Sequence, residues 1–221
     1  MSIYPYPQYR FLQFAKAPEA GKVKTRMASC LNADQCAELH SALVAQVFQN
    51  LRQAQLCPQQ LWVTDGPGHP FFQMLIEGES VSIQRQVDGD LGGRLAAATR
   101  QVLEQPAVSG ILLVGSDCPA MDRKYLLSAI DALVSGQDAV IGPASDGGYV
   151  LLGLSRYEPS LFDNIDWGTA RVAEQTRLAM DRLDWRYVEL EVLPDIDRPE
   201  DLQRLADSSY SRQLRAFADR I

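Results

Sequence analysis

The sequence predicts an α/β protein with one domain and a mostly parallel, Rossmann-like sheet. Short apolar runs alternate with longer segments of helical periodicity. One run, Ile111-Leu112-Leu113-Val114, is continuously apolar, which is typical of a parallel strand covered by helices on both faces. At 221 residues, 46% hydrophobic and 22% charged, the chain has the size and composition of one globular domain, 1–221.

Strands are predicted where β-rich runs lie between turn residues. The second run ends at the turn signal Asp65-Gly66-Pro67-Gly68, and the third alternates with period two, as an edge strand does. In chain order the predicted strands cover 9–15, 61–64, 81–87, 111–114, 139–141, 149–152 and 185–192.

Helices are predicted in the segments between these strands. Asn32 can cap a long helix, because the leucines and valine at 39, 43, 47 and 51 repeat along one face. Further helices are predicted at 91–103, 124–134 and 170–183, with a final pair at the C-terminus. Asp122 is in position to cap the helix at 124–134.

Five loops follow the predicted strands, and all are rich in Gly, Pro, Asp or basic residues. They cover 16–26, 88–94, 115–122, 142–148 and 194–201. In open α/β sheets, ligands bind in the crevice at the carboxyl ends of the strands. We therefore expect the functional site where these loops meet.

The first of these loops is strongly basic although the chain has a net charge of -7. It carries Lys16, Lys22, Lys24 and Arg26, and Gly21 allows the backbone to come close to an anion. It matches neither the Walker A pattern nor the dinucleotide fingerprint. The loop predicts a phosphate-binding site, and a solvated basic loop is the alternative.

The loop after the apolar run, Gly115-Ser116-Asp117-Cys118-Pro119, places a carboxylate at the end of a buried strand. Mg²⁺ and Mn²⁺ prefer one or two carboxylates together with substrate phosphates, so Asp117 is a candidate metal ligand. Helix capping is the alternative role. Asp90 and Arg94, in the preceding loop, are candidates for substrate binding, although Asp-Gly is also an ordinary turn signal.

Two further loops carry carboxylates. Asp146 lies with two glycines in the loop that joins two apolar strands, where it could bind a hydroxyl or a cation, or simply belong to a tight connection. Asp195 and Asp197 alternate at the end of the last strand, where helix capping does not require them. Either could supply a second carboxylate to a metal.

Charge and composition argue against several classes of function. The acidic net charge disfavours nucleic acid and anionic membranes as partners, and no apolar segment is long enough to span a bilayer. The four cysteines and two histidines show no zinc-like spacing. The N-terminus lacks the features of a signal peptide, so a cytoplasmic location is expected.

Taken in order, these motifs resemble the DUF2064 family of proposed glycosyltransferases. That family is related to the guanylyltransferase that makes the coenzyme F420 precursor and, more distantly, to the molybdenum-cofactor guanylyltransferases. The residues that carry the resemblance are Phe14-Ala15-Lys16-Ala17-Pro18, Gly21-Lys22-Val23-Lys24-Thr25-Arg26, Asp90-Leu91-Gly92-Gly93-Arg94, Gly115-Ser116-Asp117-Cys118-Pro119, Ser145-Asp146-Gly147-Gly148-Tyr149 and Asp166-Trp167-Gly168-Thr169.

The resemblance implies a GT-A-like, nucleotide-diphospho-sugar transferase fold, with a nucleotide-binding half at about 9–120 and an acceptor half at about 121–221. It implies catalytic roles for Lys24, Asp117 and Asp146, and Mg²⁺ or Mn²⁺ bound by Asp117 and Asp197. Arg198 departs from the Thr usual at its position in related transferases. The implied nucleotide-binding residues are Ala15, Lys16, Gly21, Lys22, Lys24, Thr25, Arg26, Asp90, Gly92 and Arg94.

Three functions fit this pattern. The first is a metal-dependent transferase that takes a nucleotide sugar or NTP and transfers a glycosyl group to an unknown small-molecule acceptor. The second is a nucleotidyltransferase that releases pyrophosphate from an NTP, a reading that the single Asp117 and the dense lysine loop favour. The third is a non-catalytic nucleotide-binding module. Loss of the carboxylates would indicate such a module, and Asp117, Asp195 and Asp197 are all present.

Overall fold

The computed structural model describes residues 3–64, 67–207 and 209–218. Within these ranges the chain forms a seven-stranded sheet with the order β3-β2-β1-β4-β6-β5-β7. Adjacent strands are parallel, except that β6 runs antiparallel to both β4 and β5. The predicted mostly parallel sheet is confirmed. The strands are β1 (Tyr9–Ala15), β2 (Gln59–Val63), β3 (Ser82–Arg85), β4 (Gly110–Val114), β5 (Ala139–Pro143), β6 (Tyr149–Leu154) and β7 (Tyr187–Glu189).

Side-chain caps fix where two of the helices begin. The Asn32 side chain accepts the Gln35 N–H, and the Gln35 side chain accepts the Asn32 N–H in return. Asp122 accepts the Tyr125 N–H at 2.8 Å. Both predicted caps are confirmed. The helices are α1 (Ala33–Ala54), α2 (Pro70–Leu75), α3 (Leu91–Leu103), α4 (Arg123–Val134), α5 (Val172–Arg182) and α6 (Arg212–Arg215).

The prediction of elements needs correction in three places. Helix α2 was not predicted, because its six residues are too few to show a helical period. Strand β7 is shorter than predicted, since it is the outermost strand of the described sheet, where it pairs with β5 on one side. The predicted C-terminal helix pair is a 3-10 helix over Pro199–Ala206 followed by the single turn of α6. Asp65 and Gly66 of the predicted turn lie outside the described residues.

The core consists of two apolar layers, one on each face of the sheet. Leu112 and Val114 of β4 pack with α1 and α4, whereas Ile111 and Leu113 pack with α3 and α5. All of β4 is buried, as its continuous apolar run predicted. In the described ranges, no helix has the length and apolar character needed to cross a bilayer.

This topology gathers loops at one edge of the sheet. Because β6 alone runs antiparallel within the described sheet, the carboxyl ends of the other strands all lie on the same side. The turn between β5 and β6 lies on that side as well. The segment after β7 also returns to this edge, where the Ile196 N–H donates to the Asp117 carbonyl at 2.9 Å. Loops far apart in the sequence therefore meet beside β4.

Candidate functional site

A cavity of about 370 Å³ lies at the carboxyl ends of β1 to β4. Its walls combine cationic side chains from the loop after β1 with carboxylates that follow β4 and β7. The lining residues are Phe14, Ala15, Lys16, Lys22, Val23, Lys24, Thr25, Arg26, His40, Thr64, Gln86, Leu91, Arg94, Gly115, Ser116, Asp117 and Asp197.

The basic loop is held in place by its apolar residues. Val23 and Met27 are buried, and Met27 packs with Leu39 of α1 and with Ile196. Gly21 and Lys24 take positive φ angles of 79° and 49°, which turn the chain tightly around them. Burial of Val23 and Met27 on either side directs Lys24 toward the interior.

Lys24 is the centre of the site. Its side chain is only 3% exposed, and its Nζ lies 2.7 Å from Asp117 Oδ1 and 3.7 Å from Asp197 Oδ1. The same ammonium donates to the Ile196 carbonyl oxygen at 2.5 Å. A single buried cation therefore joins the loop after β1 to the loop after β4 and to the segment after β7.

Asp117 faces solvent and the buried cation at once, since its side chain is 49% exposed. Burial of its inner part acts to raise the pKa of Asp117, but the Lys24 ammonium outweighs this effect and lowers the pKa below its usual range. Asp117 is therefore ionised at neutral pH.

His40 supports this arrangement from α1. Its Nε2 lies 3.1 Å from the Lys16 carbonyl oxygen, and its Nδ1 lies 4.0 Å from Asp117 Oδ1. Burial lowers the pKa of His40, while Asp117 acts in the opposite direction. A neutral imidazole that donates through Nε2 satisfies both the carbonyl and the burial, which ties the start of the basic loop to α1.

The remaining cations of the site differ in how far they are committed to protein partners. Arg26 donates to Asp197 Oδ2 at 2.5 Å, and Lys22 pairs with Glu19. Arg94 has a buried Nε that finds no hydrogen-bond partner among the described residues, and it lines the cavity. An unpartnered buried guanidinium N–H favours an anionic ligand at this position.

A buried polar network underlies the loop that carries Asp117. The Ser116 hydroxyl donates to the Phe14 carbonyl at 2.7 Å and accepts from Gln13 Nε2 at 3.1 Å. Gln13 also accepts from Gln59 Nε2 at 3.1 Å. These bonds connect β2, β1 and the loop after β4. They therefore fix the position of Asp117 relative to the basic loop from the buried side of the site.

Most of the predicted site residues come together at this cavity. Those that line it are Ala15, Lys16, Lys22, Lys24, Thr25, Arg26, Arg94, Asp117 and Asp197. Gly21, Asp90, Gly92 and Asp146 do not line it. Their ligand roles stay predictions.

These outlying residues have clear local structural roles. Asp90 caps α3 by accepting the Gly93 N–H at 2.8 Å. Gly92 lies against Trp167, where an added Cβ would be 2.4 Å from the indole Nε1. Asp146 closes the turn between β5 and β6 by accepting the Gly148 N–H at 2.8 Å. Each residue is thus accounted for without a ligand.

A second group of carboxylates lies beside the cavity. Burial, followed by the nearby Asp146 charge and then Asp201 and Asp197, raises the pKa of Asp195 to about 6. Asp195 therefore lies among like charges, whereas Asp197 is neutralised by Lys24 and Arg26. Of the two, Asp197 lines the cavity and is the better placed second carboxylate.

Comparison with known proteins identifies the family. The sequence matches the model described as "Uncharacterized protein conserved in bacteria (DUF2064)" over residues 47–169, which is more than half of the chain. This chain belongs to the DUF2064 family. The predicted family is thereby confirmed. No curated protein matches the sequence.

Solved structures share the fold of this DUF2064 protein. A "putative nucleotide-diphospho-sugar transferase" from Desulfovibrio desulfuricans G20 is 29% identical, with a TM-score of 0.83 over 96% of this chain and 94% of that chain. A CMP:2-keto-3-deoxy-manno-octonic acid synthetase complexed with CTP is 10% identical, with a TM-score of 0.57 over 89% and 96%. A cytidylyltransferase from Leptospira borgpetersenii is 15% identical, with a TM-score of 0.55 over 97% and 92%. The predicted nucleotide-diphospho-sugar transferase fold is confirmed.

Among the cavity-lining residues that sequence reasoning missed are His40 and Gln86. His40 was hidden because it lies on the buried face of α1, where the helical period indicates only core. Gln86 was hidden because it ends an edge strand. It is buried, and its Nε2 donates to the Trp62 carbonyl at 2.8 Å, which fixes the carboxamide against the cavity wall. The available signal in the sequence was the position of this glutamine near the carboxyl end of the predicted strand 81–87.

The carboxylates fit a divalent cation that also binds substrate phosphate. In residues 3–64, 67–207 and 209–218 no group of three or more His, Cys, Asp and Glu side chains is arranged to hold a metal. Asp117 and Asp197, however, both approach one point, the Lys24 ammonium, within 4 Å. Two carboxylates completed by phosphate oxygens and water form an ordinary Mg²⁺ site. The donor set therefore fits Mg²⁺ or Mn²⁺.

Proposed function

We propose that this protein is a transferase that binds a nucleotide sugar and transfers its glycosyl group to a small-molecule acceptor. The observation that carries this proposal is the Lys24 junction, where a cationic loop meets two carboxylates at the wall of a cavity of about 370 Å³. The nucleotide lies in the half formed by residues 9–120, and the acceptor lies against 121–221.

The cavity wall supplies the diphosphate with charge-assisted hydrogen bonds. Arg94 offers its guanidinium, and Lys16 and Lys22 extend the positive wall. Asp117 and Asp197 would hold Mg²⁺ or Mn²⁺, which neutralises negative charge on the leaving nucleoside diphosphate. Lys24 stabilises the same charge from its fixed position, because it is already desolvated and oriented.

The acceptor reaches the sugar from the turn between β5 and β6. There an acceptor hydroxyl attacks the anomeric carbon, the bond from that carbon to the diphosphate oxygen breaks, and the nucleoside diphosphate leaves. Asp146 takes the hydroxyl proton as general base. The raised pKa of the neighbouring Asp195, about 6, provides a second carboxyl that can exchange this proton near neutral pH.

Nucleotidyl transfer is the second candidate, and the number of cations favours it. Lys16, Lys22, Lys24, Arg26 and Arg94 all line the cavity, which is sufficient positive charge for a triphosphate. In that reaction an acceptor phosphate or carboxylate attacks the α-phosphorus of an NTP and pyrophosphate leaves.

A ligand panel distinguishes these functions. We expect UDP-, GDP- and CDP-sugars with Mn²⁺ to raise the apparent melting temperature more than the NTPs, because bound ligand stabilises the folded state. Chromatography of the reaction products then tests turnover. Release of nucleoside diphosphate supports glycosyl transfer, release of pyrophosphate supports nucleotidyl transfer, and binding without turnover supports a nucleotide-binding module.

A matched pair of variants on α3 tests where the ligand binds. Arg94→Gln removes the guanidinium at the cavity and should reduce the affinity for the active nucleotide by about 10-fold or more. Arg100→Gln changes an exposed arginine on the same helix, away from the cavity, and should leave affinity unchanged. Equal affinities for both variants in calorimetry would place the ligand elsewhere.

A further inference from the structure

The two carboxylates proposed as metal ligands already hold cations supplied by the protein. Lys24 Nζ contacts Asp117 Oδ1 and lies 3.7 Å from Asp197 Oδ1, while Arg26 binds Asp197 Oδ2. Asp117 Oδ1 and both carboxylate oxygens of Asp197 therefore face a positive side chain.

The ammonium and a divalent cation compete for the same place. Mg²⁺ binds carboxylate oxygens at about 2.0–2.1 Å, closer than the 2.7 Å at which Lys24 sits on Asp117 Oδ1. Both cations on that oxygen would lie a few ångströms apart, where their repulsion in a partly buried site is large. Lys24 cannot easily swing into water, because its side chain is 3% exposed and donates to the Ile196 carbonyl.

We infer that Lys24 is the resident cation of the free site and that it excludes Mg²⁺ and Mn²⁺ until nucleotide phosphates enter. Entry of anionic phosphate supplies negative charge that offsets the repulsion between the fixed ammonium and the metal. Nucleotide and metal then bind with positive cooperativity, and the free protein binds metal weakly. The nucleotide step rests on the proposed function, whereas the exclusion of metal from the free protein does not.

Manganese binding to the nucleotide-free protein tests this inference directly. Lys24→Gln removes the charge and keeps a polar side chain. We expect it to bind Mn²⁺ about 10-fold or more tightly than the unmodified protein, measured by electron paramagnetic resonance of free Mn²⁺. Arg100→Gln is the control, because Arg100 is exposed, lies away from the cavity and should leave Mn²⁺ affinity unchanged.

A second variant keeps the test decisive if Lys24→Gln is unstable. Lys24→Met also removes the charge but keeps an unbranched apolar side chain at a position that is 3% exposed, and it should likewise raise Mn²⁺ affinity. Adding Asp117→Asn to either variant should remove the gain. A folded Lys24→Gln protein with unchanged or weaker Mn²⁺ affinity overturns the inference. So does a folded Lys24→Met protein without a gain, if Lys24→Gln does not fold.

The test of metal exclusion can succeed or fail independently of the test of the proposed function. The Mn²⁺ titrations contain no nucleotide, so a gain in Lys24→Gln supports the exclusion of metal even if every nucleotide in the panel fails to bind. Conversely, nucleotide turnover combined with unchanged Mn²⁺ affinity in Lys24→Gln supports the transferase and rejects Lys24 as the resident cation.

Discussion

Lys24 and Asp117 form one ion pair, yet water reaches them very differently. The lysine side chain is almost fully buried, whereas the aspartate side chain is half exposed. Loss of the aspartate would leave a desolvated ammonium without its main partner, while loss of the lysine would leave a carboxylate that water can solvate. The two halves of the pair therefore contribute unequally to stability.

This asymmetry gives a prediction for urea denaturation at neutral pH. Asp117→Asn should lower the free energy of unfolding by about 1–3 kcal/mol, because the buried ammonium keeps its charge and loses its counterion. Lys24→Gln should cost less than Asp117→Asn, because it leaves behind a half-exposed carboxylate that water can solvate. A larger loss for Lys24→Gln would contradict the burial argument.

Asp195 should make stability depend on pH with an unusual sign. Its pKa of about 6 in the folded protein lies above the unfolded value near 3.9, so the native state binds the proton more tightly. The stabilisation is complete below about pH 4 and is lost as pH rises through about 6. Asp195→Asn should therefore stabilise the protein by about 1 kcal/mol at pH 8, a value discounted for solvent screening.

The gain should largely disappear near pH 4, where Asp195 is protonated in the folded state and therefore carries no charge to repel its neighbours. Asp88→Asn provides the comparison, because Asp88 is 98% exposed and should give little change at either pH. Thermal melting of both variants across this range is the measurement. An equal effect of Asp195→Asn at pH 4 and pH 8 would show that Asp195 does not titrate as described.

At the scale of elements, helix α3 shows how far the sequence determines structure. Its bounds were predicted as observed, because Asp90 caps a segment with a clear helical period. The sequence alone could not show why glycine is required in the first turn. The reason is a contact with Trp167, which belongs to the segment after β6. Trp167 packs against Gly92, not against Gly93.

Alanine substitutions at these glycines should separate packing from helix propensity. Alanine normally stabilises a helix relative to glycine by about 1 kcal/mol. At Gly92, however, the new Cβ would lie 2.4 Å from the Trp167 indole nitrogen, so Gly92→Ala should destabilise by about 1–3 kcal/mol. At Gly93 the nearest atom is a movable Asp90 oxygen at 3.3 Å, so Gly93→Ala should be much milder. Similar melting temperatures for the two variants would contradict this packing.

For the whole molecule, the sequence predicted which loops meet but not the contacts between them. The parallel order of strands was enough to place the loops after β1 and β4 at one edge. No local sequence pattern encodes the contacts between distant residues. These contacts determine the reversed direction of β6, the burial of Lys24 and the Lys24 bond to Ile196. Lys24 and Ile196 are 172 positions apart in the chain.

That long-range contact should control the opening of the segment after β7. The segment is tied to the rest of the site by the Lys24 bond to Ile196, the Arg26 bond to Asp197 and the Ile196 N–H bond to Asp117. Removing a cation that joins three chain segments lowers the free energy needed for local opening. Lys24→Gln should therefore increase hydrogen exchange at 193–198 by several-fold, while exchange in β4 stays slow because that strand is buried on both faces.

Lys22→Gln provides the control, because the exposed Lys22 side chain pairs with Glu19 within the same loop. This variant should leave exchange at 193–198 unchanged, since it removes a charge from the loop but keeps the Lys24 bond to Ile196. Hydrogen–deuterium exchange mass spectrometry of the three proteins resolves these segments. Unchanged exchange at 193–198 in Lys24→Gln would mean that the backbone bond between Ile196 and Asp117 holds the edge together by itself, and that the buried ammonium acts on the carboxylates alone.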